Sequence, residues 1–415
     1  MNTRHGMLSE HFDCFGYKRL SAVEVDPAKS NEHEFNGVSG LKQIFGLARR
    51  EKIPCRVHYL CDDEECMLED VLQLTWYDAR ENHPTRSEYR LYYTDNPCIG
   101  ATVAEDVMIL CRNRPSATCA EPFTMFLSKN GDTVTAQLLW LFGISERQLS
   151  IRFAPKDVKN TGVKNFYASL ILDKLGIVST SRDDELLSRL HMRFAHGFPS
   201  TRVFSAFARE LSDVDPRMDP DGALSEWLSI EDRAFRVFEK NQLESKINTG
   251  FADVDEFIRF SLSVQNRRKS RAGYALENHL LALFTQLQID YGYNVVTEHA
   301  SRPDFIFPGL QMYQNESFPT ERLTMLGAKT TCKDRWRQVL AEASRISQKH
   351  LCTLEPGISV AQTTEMRDSG VQLVVPKEIL SSFTPAQQTW LITVADFIAI
   401  VKERQQAPRQ SPLQF

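Results

Sequence analysis

The 415-residue chain has no apolar run near the roughly 18–20 residues that a membrane-spanning helix needs. Its opening stretch, MNTRHGMLSEHFDCFG, lacks the continuous apolar segment of a secretory signal. Both absences set the expectation of a cytoplasmic protein. A disulfide framework is missing too: nine cysteines, an odd number at irregular spacings, fit reduced thiols. His58, Cys61 and Cys66 stand close together in HYLCDDEEC, but no second close pair with finger-like spacing follows, which argues against zinc. Internal repeats and low-complexity segments are absent. So is a positive net charge. The formal value of −5 argues against a protein that coats nucleic acid non-specifically and leaves room for a local basic cleft.

The first part of the chain is built from short apolar runs, CRVHYL, YRLYY, DVMILC, FTMFLS and TVTAQLLWLFG, separated by turn signals such as TDNP and KNGD. This pattern predicts an all-β barrel or sandwich over residues 1–180. A polar segment, 181–195, reads as a linker. From 196 the pattern is helical in TRVFSAFARELS, SEWLSIEDRAFRVFEKN, VDEFIRFSLSVQNRR and YALENHLLALFTQL. Short strands then follow in YNVVTEH, DFIF, LTMLGAK, HLCTL and VQLVV, with one helix, WRQVLAEASRI, among them. The expectation is an α/β layered domain over 196–405, and a disordered tail over 406–415.

Basic residues cluster in NRRKSR, Asn266 to Arg271, and in KTTCKDRWRQ, where a strand meets a helix. Asp304 opens the strand DFIF and Lys329 ends the next, LTMLGAK. If those strands pair antiparallel, the two side chains converge at one edge. An acid to hold a divalent metal and a lysine to orient water are the minimum for metal-assisted phosphodiester hydrolysis. Mg²⁺ prefers a few carboxylates plus water, so further acids belong nearby. Glu277 lies in the preceding helix. Glu342 lies in the following one, about 60° from Val339 at the border of its apolar face. Singly, each of these residues is more often an ordinary turn, strand end or surface charge; their order on helix, strand, strand and helix is what points to a site. Lys333, Asp334 and Arg335 come next. Lys and Arg donate to guanine O6 and N7, and Asp accepts from cytosine N4, so the run can read adjacent G·C pairs. A helix cap accounts for Asp334 but not for the basic residues at that end.

The segments VDEFI, NRRKSRAG, LENHL, RPDFIFP, FPTERLTMLGAKTTCKDRWRQVLAEASRI, HLCTLEPGISVAQTTEMRDSGVQLVVP and ADFIA, between about Phe251 and Ile398, closely resemble the catalytic domain of EcoRII-type restriction endonucleases. The resemblance implies a variant PD-(D/E)XK α/β core. The acid that normally stands two places before the lysine is replaced here by Gly327, and the family relocates it to the following helix, matching Glu342. It further implies Asp304, Lys329 and Glu342 as the core site with Glu277 as a second carboxylate. Asp304, Glu342 and Glu277 would hold Mg²⁺, and Lys333, Asp334 and Arg335 would read the CC:GG half-site of 5′-CCWGG in double-stranded DNA. Type IIE action by a homodimer, and a cognate DNA methyltransferase as functional partner, are also implied. GYKRLSA and EYRLYYTD resemble pieces of the family's N-terminal effector domain, a plant-type DNA-binding pseudobarrel that restrains the catalytic domain. Lys18 and Arg19 are its best local DNA contacts. The family's basic, tryptophan-containing loop after YRLYY is replaced by TDNPCIGATVAEDV. Two competing readings are a catalytically silent DNA-binding protein and a structure-specific nuclease. The intact Asp304, Lys329 and Glu342 argue against the first. The Lys-Asp-Arg run argues against the second, because phosphate contacts alone carry no sequence information.

Overall fold

The apolar runs of the first part build one eight-stranded sheet. The computed structural model of the chain describes residues 8–26, 33–36, 38–115, 120–158, 166–177, 183–195 and 197–406, apart from the side chains of Glu64, Asp157, Ser245, Lys269, His299 and Asp334. It divides into two units, Met1–Ser179 with Gly357–Ala361, and Thr180–Pro356 with Gln362–Phe415.

In the first unit the strands are β1 (Phe12–Arg19), β2 (Glu34–Phe35), β3 (Arg50–Leu60), β4 (Leu68–Asp78), β5 (Tyr89–Tyr93), β6 (Val107–Asn113), β7 (Phe123–Ser128) and β8 (Ala154–Asp157). They lie in the order β2-β5-β4-β3-β7-β6-β1-β8. Pairing is antiparallel throughout except between β3 and β7. Along β3, buried Ile53, Cys55, Val57 and Tyr59 alternate with more exposed Pro54, Arg56 and His58, the period-two pattern of a strand with one dry face. All six residues of β7 are buried, because its other face is also covered. Phe126 and Ile109 pack there with Leu138, Leu141 and Leu172. That cover includes a difference from the sequence reading. TVTAQLLWLFG is not a strand but the helix Thr133–Leu141. Its first amides, Thr133 and Val134, donate to the Asp62 carboxylate at 2.9 and 3.1 Å, and Val134, Leu138 and Leu141 bury one helical stripe. A cap supplied from 71 residues away, together with that burial, overrides the strand preference of Thr-Val-Thr.

The second unit begins earlier than the sequence reading places it. Helix Asp184–Arg193 occupies most of the supposed linker, with Leu186, Leu190 and Phe194 in a cluster with Phe204, Phe207, Phe235 and Phe238. Residues 181–182 of that linker, and 407–415 of the tail read as disordered, lie outside the described residues. The two helices read in VDEFIRFSLSVQNRR and YALENHLLALFTQL are one, Val254–Gln286, about 50 Å long at 1.5 Å per residue. Asp253 caps it by accepting from the Glu256 amide at 2.7 Å. Arg268 and Arg271 tie it to the helix Pro220–Thr249 through Glu239 and Glu231, so part of the NRRKSR cluster is spent inside the fold. Arg271 is buried and lies over the rings of Phe204 and Phe235.

Beside these helices stands a six-stranded mixed sheet of β9 (Gly292–Tyr293), β10 (Phe305–Phe307), β11 (Thr324–Lys329), β12 (Lys349–Thr353), β13 (Val371–Val375) and β14 (Ile392–Thr393), ordered β14-β13-β12-β11-β10-β9. β9, β10 and β11 are antiparallel neighbours, and β11 to β14 run parallel. The α/β core expected for this region is therefore present. No helix among the described residues is long and apolar enough to cross a membrane.

Candidate active site

The antiparallel register of β10 and β11 pairs Phe305 with Leu326, so Asp304 and Lys329 meet at one sheet edge. Asp304 Oδ2 accepts from the Ala328 amide at 2.7 Å and from Lys329 Nζ at 3.1 Å. Both side chains are mostly enclosed, with 17% and 18% of their surface exposed. The pairing inferred from the two strand ends is thus present.

Gly327 explains why no acid stands two places before the lysine. A Cβ at this position would lie 2.9 Å from Val339 Cγ2 and 3.5 Å from Leu351 Cδ1, with no space for a carboxylate beyond it. Glu342, three residues after Val339, stands near the pair instead. It is not on the face of a helix, as the sequence reading placed it. Helix Trp336–Leu340 ends two residues earlier, and Ala343 adopts the left-handed φ of 46°. Tertiary bonds take the place of the next helical turn. Buried Lys349 donates to the carbonyls of Glu342 and Ala343, and the Arg345 guanidinium donates to those of Tyr313, Asn315 and Phe318. One Glu342 oxygen, Oε2, is buried without a hydrogen-bond partner. Burial, and then the Asp304 charge, push the Glu342 carboxyl up to about 7 against the pull of Lys329 and Lys349.

Glu277 reaches the same region from the Val254–Gln286 helix. Tyr293 Oη donates to its Oε2 at 2.7 Å. Burial raises its pKa, the Tyr293 hydrogen bond lowers it, the Asp304 charge raises it and the Lys329 charge lowers it. The Asp304 charge makes both Glu277 and Glu342 harder to ionise, and with one buried Glu342 oxygen unpartnered the three carboxylates form an oxygen-only donor set. Among the described residues, no group of three or more His, Cys, Asp or Glu is gathered so that it could hold a metal ion. One or two carboxylates completed by water are the oxygen donors that hard divalent cations take.

The loop after Lys329 is fixed from beneath. The Cys332 amide donates to buried Glu355 at 2.6 Å, and Gln362 Nε2 donates to the Lys333 carbonyl at 2.8 Å. Lys333 to Arg335 form a single 3-10 turn, with Lys333 and Arg335 exposed. The Asp334 side chain lies outside the described residues. Of the four basic residues in KTTCKDRWRQ, Lys329 is held by Asp304 and Arg337 by Glu365 at 2.7 Å.

Other expected contacts stand differently. Lys18 is wholly buried; its ammonium pairs with Glu24 and donates to the Asn36 carbonyl at 2.8 Å. A charge so enclosed presents nothing to DNA, and the expectation for Lys18 is corrected accordingly. Arg19 is partly exposed and donates to the Glu105 carbonyl and Asn130 Oδ1. Cys61 and Cys66 turn their thiols to Asp63. Sequence reasoning missed Tyr293, Lys349 and Glu355. A lysine opening an apolar strand was the one available signal, at Lys349.

Residues 235–398, which hold Glu277, Asp304, Lys329, Lys333 to Arg335 and Glu342, match the family model described as EcoRII C terminal. The type II restriction enzyme EcoRII of Escherichia coli is 46% identical over 210 residues, covering 50% of this chain and 51% of that protein. The chain thus matches about half the length of this curated relative. Among solved structures, metal-depleted Ecl18kI in complex with uncleaved, modified DNA is similar with a TM-score of 0.42 at 18% identity, over 55% of this chain and 87% of that one. The complex of restriction endonuclease PspGI with substrate DNA gives a TM-score of 0.42 at 16% identity, over 50% and 94%.

Proposed function

We propose that this chain, whose residues 235–398 carry the EcoRII C-terminal domain, is a type II restriction endonuclease that hydrolyses double-stranded DNA at a CCWGG-like site. The observation that carries this reading is Asp304 Oδ2, bonded to both Lys329 and the Ala328 amide. It fixes an acid and a lysine at one sheet edge, with Glu342 near them. Asp304 and Glu342 would hold Mg²⁺, with Glu277 as a further carboxylate. The bound ion supplies Lewis-acid polarisation of the scissile phosphate and a more acidic water. Lys329 Nζ orients the attacking water and faces the negative charge that builds on the phosphate oxygens. Water oxygen bonds to phosphorus as the bond to the leaving oxygen breaks. Digestion of a DNA of known sequence with Mg²⁺, followed by mapping of the ends, tests this reading. Ends at a single sequence class support it, and the absence of cleavage favours the DNA-binding alternative.

Base recognition is assigned to Lys333, Asp334 and Arg335, on a turn whose backbone is pinned by Glu355 and Gln362. Arg335→Ala should cost about 1–3 kcal/mol of discrimination at one guanine. Competition binding with singly substituted duplexes reads this. A loss equal on all sequences, with a shallower salt dependence, would mark Arg335 as a phosphate contact.

Three further elements rest on the family resemblance. These are action as a homodimer, a cognate methyltransferase protecting the host, and a first unit that is a pseudobarrel binding a second DNA site and restraining the nuclease. Restraint is released only by a ligand that distinguishes restrained from released states. Removal of residues 1–179 leaves the helix Asp184–Arg193 and its cluster intact. The shortened protein should cut single-site plasmids about tenfold faster than the full chain, the gain expected where roughly a tenth of the full chain is released. Equal rates would remove the restraint and leave the nuclease assignment standing.

A further inference from the structure

Asp304 comes from a strand end and Glu342 from the turn after the helix Trp336–Leu340, whereas Glu277 comes from within the helix Val254–Gln286, so its placement depends on something other than strand register. Tyr293 Oη donates to Glu277 Oε2 at 2.7 Å. Tyr293 is in turn set by the strand that carries Asp304. It pairs with Phe305 across β9 and β10, its ring lies 5.4 Å from the Phe305 ring, and the next amide, Asn294, donates to the Asp304 carbonyl at 2.9 Å. The hydroxyl that touches Glu277 and the backbone that holds Asp304 are therefore parts of one rigid edge. A phenol donates a single proton, so it occupies one oxygen of Glu277 and leaves the other available. Tyr293 lies at the rim, 36% exposed, and its hydroxyl is the hydrogen-bond partner that fixes one oxygen of the half-buried Glu277.

We infer that Tyr293 is a positioning residue that couples Glu277 to the Asp304 edge, so that a divalent cation meets both carboxylates in one fixed geometry. This rests on the nuclease reading above. Outer partners of metal-holding carboxylates are commonly worth about 10–100-fold in metal affinity or activity when removed. A merely structural tyrosine would act on stability alike whatever stands at 277. A positioning tyrosine has nothing left to do once Glu277 is gone, so the two substitutions are non-additive.

The test uses the full chain as wild type, Tyr293→Phe, Glu277→Gln and the double variant. Two quantities are measured on a cognate duplex: the single-turnover cleavage rate as a function of Mg²⁺, and the gain in binding affinity when Ca²⁺ is added without turnover. Tyr293→Phe should lower the cleavage rate about tenfold and raise the Mg²⁺ needed for half-maximal rate. It should also reduce the Ca²⁺-dependent gain in binding, with an unchanged melting temperature. The double variant should match Glu277→Gln in both readouts. A Tyr293→Phe enzyme equal to wild type, or losses that multiply in the double variant, would overturn the inference. So would wild-type behaviour of Glu277→Gln alongside an inactive Lys329→Ala, which would leave the nuclease reading intact. A wild type that cuts no DNA overturns both.

Discussion

Lys329→Ala should lower DNA cleavage by about 10²–10³-fold or more while specific binding stays near the wild-type level. The lysine touches Asp304 rather than the exposed turn assigned to base reading, so its removal acts on the phosphate and water. Asp304→Asn should be as damaging. Asparagine is the better probe than alanine, because Asp304 also accepts from the Ala328 amide. Alanine would leave that amide unpaired at a cost of about 1–3 kcal/mol, mixing a folding defect with a chemical one. Single-turnover cleavage and a gel-shift titration, run on the same preparations, separate the two effects. Cleavage by Lys329→Ala at near the wild-type rate would place the active site elsewhere.

The strand-end pair was legible because it needs only two things that sequence displays, the strand limits and an antiparallel return of the chain. Of the apolar face read over Trp336, Val339, Leu340, Ala343 and Ile346, all are buried but Leu340, which is exposed. The point where the helix ends was not legible. The helix stops at Leu340, where Lys349 draws the carbonyls of Glu342 and Ala343 into tertiary bonds and Arg345 is tied to the carbonyls of Asn315 and Phe318, and no periodicity reports such bonds. Lys18 failed for a related reason. Its partner Glu24 sits six residues on, and burial of the pair depends on the surrounding core. The helix Thr133–Leu141 was misread because its cap, Asp62, comes from a distant strand end. Gly327 shows the reverse case. The sequence displayed a missing acid, and the structure supplies the reason in Val339.

Glu342→Gln should divide function from stability more sharply than any other substitution in the site. In the metal-free protein its carboxyl is raised from the ordinary 4.5 to about 7, burial first and Asp304 second. A raised acid binds its proton more tightly folded than unfolded. Its contribution to stability is therefore fully present below about 4.5 and is lost as pH rises through about 7. For a wholly enclosed group that shift would amount to about 3 kcal/mol. Glu342 is half-buried and partly screened by solvent, which brings the figure to about 1 kcal/mol. Glutamine cannot ionise, so the metal-free variant should melt about 2–4 °C higher than wild type at pH 8. The difference should vanish near pH 4. Cleavage should fall about 10²–10³-fold, since a neutral amide is a poor substitute for a carboxylate facing a divalent cation. Thermal melts in chelator at the two pH values, paired with single-turnover rates in Mg²⁺, read both halves. A variant that is no more stable at pH 8 would mean that the Glu342 charge is relieved within the free protein. A variant that still cuts normally would mean that the relocated acid is not Glu342.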